Sequence, residues 1–208
     1  DLIRFFRQEN QFKVLGDSRQ CYIWDKTHYI QIEKASLEAY AREHFDPKPS
    51  MEVVREFRQR VEISNISPVE WWESTTERKI NFQNGYLDID TMEFLPHDPE
   101  VAFRYVLPYA YDPAAKSRTF EKMLRLITGD DADTRAVLEE FLGYCLSNDD
   151  CWAQKALVMT GDGSNGKSTL LDALKELAGE GNYSSVDMKD LSEKEYSRAL
   201  LDKKLFNI

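Results

Sequence analysis

Gly161-Asp-Gly-Ser-Asn-Gly-Lys-Ser168 fits the pattern G-x-x-x-x-G-K-[ST], and no other stretch constrains the fold of this chain so tightly. The pattern needs a strand to deliver the chain to the loop and a helix to carry it away. Both flanks have that character. Lys155-Ala-Leu-Val-Met-Thr160 reads as a short buried strand, and Ser168-Thr-Leu-Leu-Asp-Ala-Leu-Lys-Glu-Leu177 as an amphipathic helix. Glycines let backbone N–H groups turn inward around a phosphate, and the helix N-terminus adds partial positive charge. Lys167 is placed to reach the β- and γ-phosphates, and the Ser168 hydroxyl to ligate Mg²⁺. The candidate nucleotide-binding set is Gly161, Asp162, Gly163, Ser164, Asn165, Gly166, Lys167, Ser168 and Thr169. Lys167 is its catalytic candidate, Ser168 its metal ligand, and ATP with Mg²⁺ the implied cofactor. The plainer alternative is a glycine-rich turn before an ordinary helix.

The motif lies close to the end of the chain, where Lys204-Leu-Phe-Asn-Ile208 reads as a strand just beginning. In phosphate-loop ATPases such a strand ends in the Walker B acid that holds Mg²⁺ and activates water. With Asp1 rather than Met at the start, the expectation is a fragment that ends inside its nucleotide-binding domain, before Walker B.

Bulk properties narrow the class without choosing it. A 208-residue chain with 42% hydrophobic residues can build a proper core in one or two domains. A net charge of −10 opposes a broad nucleic-acid footprint, though not a local basic groove. Cys21, Cys145 and Cys151 are odd in number and lack metal spacing, which points to reduced thiols in a cytoplasmic protein. No apolar run approaches a membrane span, and no signal peptide is visible.

Along the chain, a short helix precedes a hairpin of Cys21-Tyr-Ile-Trp24 and Tyr29-Ile-Gln-Ile32 around Asp25-Lys-Thr-His28. Ser36 to His44 reads as helix, ending before the prolines at 47 and 49. Ser50 is an N-cap candidate for a helix over Met51 to Val61, with Val53, Val54, Phe57 and Val61 on one face. Residues 79–112 read as β-rich, with Asn84-Gly85 as the strongest turn signal. Residues 119–147 read as two helices split near Thr128-Gly129-Asp130-Asp131. The expected fold class is an α+β N-terminal domain over 1–118, a helical segment over 119–150, and over 151–208 the opening of an α/β phosphate-loop domain.

The order of these features resembles a known family. Ile80-Asn-Phe-Gln-Asn-Gly-Tyr-Leu-Asp-Ile89 with Leu95-Pro-His-Asp-Pro99, then Leu107-Pro-Tyr-Ala-Tyr-Asp-Pro113, Phe141-Leu-Gly-Tyr144, Gln154-Lys155 and the loop at 161–168 follow one another as in phage and plasmid primase–helicases. Poxvirus-type primase–helicases share the pattern. The resemblance covers residues 80–208 well and 20–208 thinly. It implies a superfamily 3, AAA+ type DNA helicase: hexameric, ATP-driven, acting on single-stranded or forked DNA in the replication of a phage, virus or plasmid, in the host cytoplasm. Often a primase domain lies N-terminal to it. Walker B, the sensor residue, the arginine finger and the DNA-gripping pore loop of that pattern are not in this sequence.

Other residues have bland readings beside sharp ones. Asp88 and Asp90 have the spacing of a metal pair, but sit beside turn signals and read better as solvated turn residues. Arg55, Arg58 and Arg60, with Trp71 and Trp72 beyond, could track phosphates; a helix face interleaved with Glu52 and Glu56, and core tryptophans, is the preferred reading. His28, His44 and His97 lack the company of a zinc site. Asp130, Asp131 and Asp133 read as caps of the helix beginning near Ala132. Besides the helicase ATPase, two functions stay open. One is a non-catalytic DNA- or partner-binding or oligomerisation module; the other, a phosphate-loop kinase, is disfavoured by the long stretch before the loop.

Overall fold

The computed structural model describes residues 2–45, 48–147, 154–163, 165–193 and 205–207, and the backbone divides into two compact units. The first comprises residues 1–77 and 96–106, the second residues 78–95 and 107–208.

In the first unit α1 (Leu2–Glu9) leads into β1 (Phe12–Leu15), β2 (Cys21–Trp24) and β3 (Tyr29–Ile32), followed by α2 (Lys34–His44), α3 (Met51–Glu62), β4 (Ile66–Ser67) and α4 (Val69–Ser74). The strands form one sheet in the order β3-β2-β1-β4, antiparallel except for the parallel β1–β4 pair. The expected hairpin is present, with Trp24 opposite Tyr29. Alternation divides the side chains between two faces. Phe12, Val14 and Cys21 join Phe6, Leu37, Ala41, Val54, Phe57 and Val61 in a core under α1, α2 and α3. On the other face Tyr22 and Tyr29 pack with Trp72 and Ala102. Ser50 caps α3 as expected, its hydroxyl accepting from the Val53 amide at 3.4 Å.

The second unit opens with an antiparallel meander of β5 (Lys79–Phe82), β6 (Gly85–Asp88) and β7 (Phe94–Leu95). The pairing of Phe82 with Gly85 puts the tight turn at Gln83-Asn84, one residue before the expected pair. Gly85 is needed because a Cβ there would lie 2.4 Å from the Leu95 carbonyl. Strand structure stops at Leu95 instead of continuing to 112. Residues 107–111 do run beside β5, where Leu107 N–H donates to Asn81 and Gln83 N–H to Tyr109. Pro108 has no N–H to offer, so no regular ladder forms. The Asn84 side chain replaces backbone pairing at Tyr111, donating to its carbonyl at 3.1 Å and accepting from its amide at 2.8 Å.

Two helices follow, α5 (Arg118–Thr128) and α6 (Ala132–Leu146). Gly129 ends the first at φ 63°, and the Asp131 carboxylate caps the second by accepting from the Asp133 and Thr134 amides. Beyond the loop lie α7 (Lys167–Ala178), β8 (Tyr183–Ser184), α8 (Met188–Glu193) and β9 (Phe206–Asn207), with β8 and β9 paired in parallel. The strand expected over Lys155–Thr160 is not formed. Leu157 and Met159 pack on the helices while Val158 is 79% exposed, the alternation of an extended chain. A strand exists by exchanging backbone hydrogen bonds with a neighbour, and this segment has no such neighbour among the described residues.

Candidate functional site

The loop at 161–168 sits on the second unit's helical core. Leu170 and Leu174 of α7 are buried with Leu124 of α5 and Leu138, Leu142 and Cys145 of α6. Those contacts fix where α7 begins, and so where the loop ends. Gly166 caps α7 at φ 89°, a backbone region costly to any residue with a Cβ. A Cβ there would also lie 2.7 Å from Ile127 Cγ1 on α5. Gly161, at φ 147°, faces the side chain of Asn165, whose Nδ2 would be 2.4 Å from a Cβ at 161. Gly163 meets no such crowding.

Lys167 turns back into the loop. Its ammonium donates to the carbonyls of Gly161 at 2.9 Å and Asp162 at 3.0 Å, and to Asn165 Oδ1 at 2.7 Å. Three acceptors match the three protons a lysine carries. The charge is thus held where the loop closes on itself, at the N-terminus of a twelve-residue helix. Such a terminus presents unpaired amides and partial positive charge to an anion. Ser168 and Thr169 lie exposed on the first turn of α7, while Ser164 falls outside the described residues. The structure therefore brings together Gly161, Asp162, Asn165, Gly166 and Lys167. Sequence reading did not foresee the Asn165 contact or the Ile127 wall. The only signal for the first was an amide-bearing residue two positions before the lysine.

The other candidates are engaged locally. Asp88 Oδ1 accepts from the amides of Asp90 and Thr91, and Asp90 pairs with Arg78. The Thr91 amide, ahead of weaker contributions, holds the Asp88 carboxyl below its usual range. Arg58 lies between Glu38 at 3.2 Å and Glu62 at 2.9 Å, and Arg60 pairs with Glu56. Trp72 is buried in the sheet's second core, and Trp71 packs against that core with Lys13 over its ring at 4.5 Å. His28 is partnered by Asp25 at 3.3 Å, and burial pushes its pKa down. His44 stacks on Tyr40 with ring centroids 4.0 Å apart. Cys21 and Cys145 are buried free thiols, that of Cys21 pushed up to about 12 by burial; Cys151 lies outside the described residues.

The first unit carries a cavity of about 510 Å³ whose walls include Arg7, Asn10, Lys13, Asn65 and Glu100. Its polar groups are largely committed to the fold. Lys13 pairs with Glu100 at 3.6 Å, and the Asn10 and Asn65 amides donate to the carbonyls of Phe6 and Phe12. Among the described residues no helix is long and apolar enough to cross a membrane. A family model described as "D5 N terminal like", covering the N-terminal region of phage and viral D5-type primase–helicase proteins, matches residues 7–129.

Proposed function

The chain belongs to the D5 N-terminal-like family, a region of primase–helicase proteins, and from that membership and the adjoining loop we propose that residues 161–169 hold ATP for a DNA helicase of the primase–helicase type. The observation that carries this reading is the Lys167 ammonium, drawn inward by Gly161, Asp162 and Asn165 at the N-terminus of α7. A lysine serving only solubility would extend into water. In this reading its charge would meet a β- or γ-phosphate, and the loop amides would complete the cradle.

Gly161 and Gly166 set the shape of the loop, since a side chain at either would collide with Asn165 or Ile127. Ser168, exposed beside Lys167, would supply one protein oxygen to Mg²⁺, the remaining ligands being phosphate oxygens and water. The metal would neutralise phosphate charge, and Lys167 would stabilise the charge that develops on the transferred phosphoryl group. In this reading residues 1–118 lie ahead of the helicase, although 78–95 and 107–118 fold with the second unit; 119–150 are the helical connection, and 151–208 the start of an AAA+ ATPase. A hexamer on single-stranded or forked DNA is the assembly it implies.

One observation favours a second reading. The family match ends at residue 129, upstream of the loop, so residues 7–129 can be taken as a non-catalytic module that binds DNA or a partner. The test is Mg-ATP titration and strand displacement with the intact protein, wild type against Lys167→Ala, with circular dichroism on each. Loss of both activities with an unchanged spectrum supports the ATPase reading. Unwinding at near wild-type rate by Lys167→Ala overturns it, and DNA binding indifferent to nucleotide favours the second.

A further inference from the structure

We infer that Asn165 is a positioning residue for Lys167: its side-chain oxygen holds the ammonium inward at the place a phosphate oxygen would take, and is the one lysine partner that an incoming phosphate displaces. The inference rests on the nucleotide reading of the loop and adds to it a residue that the motif leaves unspecified.

Lysine only donates, so the amide group of Asn165 facing Lys167 must be its oxygen. That oxygen is 2.7 Å from Nζ, the shortest of the three lysine contacts, against 2.9 and 3.0 Å for the Gly161 and Asp162 carbonyls. With all three protons occupied, a phosphate oxygen can reach Nζ only by replacing one acceptor. The two carbonyls belong to the loop backbone, and moving either would reshape the cradle. Asn165 Oδ1 is carried on a rotatable side chain at an exposed position. Rotation about its side-chain bonds frees the lysine without disturbing the backbone. A neutral oxygen suits this part. It is strong enough to hold the ammonium inward, yet weaker than a phosphate oxygen, whose full negative charge adds direct Coulomb attraction to the ammonium.

The chemistry predicts how two substitutions differ. Asn165→Asp keeps the shape and turns the amide into an anion, which pairs with Lys167 and repels phosphate. Asn165→Ala removes the amide and leaves nothing to displace. Titrating the intact protein with Mg-ATP, we expect Asn165→Asp to weaken binding tenfold or more. Asn165→Ala should stay within about threefold of wild type or bind more tightly. In steady-state ATP hydrolysis Asn165→Asp should raise KM with little change in kcat, because the side chain has left Lys167 before the chemical step. Circular dichroism should be unchanged for both.

Lys167→Ala separates failure of this inference from failure of the parent reading. If wild type binds no Mg-ATP, or Lys167→Ala binds as well as wild type, the nucleotide reading falls and this inference with it. If Lys167→Ala abolishes binding while Asn165→Asp binds like wild type, the inference alone is overturned. Equal weakening by Asn165→Ala and Asn165→Asp also overturns it, since Asn165 would then hold the nucleotide or shape the loop.

Discussion

Replacing Gly166 with alanine should destabilise the second unit by about 2–3 kcal/mol through two separable effects. The first is backbone strain. At φ 89° the residue lies in the left-handed region, where an L side chain costs about 1–2 kcal/mol. The second is overlap. The new methyl would sit 2.7 Å from Ile127 Cγ1 and 3.1 Å from Cδ1. Ile127 has to leave its rotamer, at about 0.5–1.5 kcal/mol. A double-mutant cycle separates the two. In an Ile127→Ala background the overlap is gone and only the strain remains, so Gly166→Ala should cost about 1 kcal/mol less there than in wild type, a coupling typical of contacting residues. Urea denaturation followed by circular dichroism measures both arms, read at the midpoint with a constant slope. A Gly166→Ala protein within about 0.5 kcal/mol of wild type, the range of ordinary surface changes, would refute the loop conformation. Equal costs in both backgrounds would refute the Ile127 wall.

Leu124→Ala, at a fully buried position between α6 and α7, should cost about 2–5 kcal/mol in the same assay. Asp131 is held below the usual carboxylate range first by the Thr134 hydroxyl, then by the Thr134 and Asp133 amides. Its contribution is therefore present above the unfolded carboxylate value of about 3.9 and lost as pH falls through the lower folded value. The stability gap between wild type and Asp131→Ala should stay flat through neutral pH and close in acid, as a pH series of denaturation curves would show. Lys167→Ala should leave the urea midpoint unchanged while removing Mg-ATP binding.

What the sequence made legible was local. Ser50 before an apolar-periodic run, Gly129-Asp130-Asp131 between two helices, and Tyr29-Ile-Gln-Ile32 after a polar turn each carry their signal within a few residues, and each forms as read. Partnership is another matter. Phe12-Lys13-Val14-Leu15 went unread as a strand because four residues beside a helix say little; its place is set by β2 on one side and the distant β4 on the other. Lys155–Thr160 has strand composition but lacks a neighbour to pair with among the described residues. Residues 101–106 read as β-like for their apolar and aromatic content, yet Val101, Ala102, Phe103 and Tyr105 are buried from irregular chain. Burial explains their composition without a ladder.

The same division applies to the loop. Gly161 and Gly166 are already required by their positive φ and by crowding from Asn165 and Ile127, so their presence says little about a ligand. Lys167 is different. Leu170, Leu174 and Ala178 bury the helix it begins, and none of them needs the ammonium. Exposed hydrogen bonds such as those it makes contribute little to folding, since water competes for each partner. A positive charge gathered at a helix N-terminus is moreover opposed by the helix dipole, which favours anions there. Closing the loop through Gly161, Asp162 and Asn165 is the lysine's visible part in the fold. On the proposed nucleotide reading an anion would add to this, because the ammonium and the helix terminus, unfavourable to each other, would both be favourable to it.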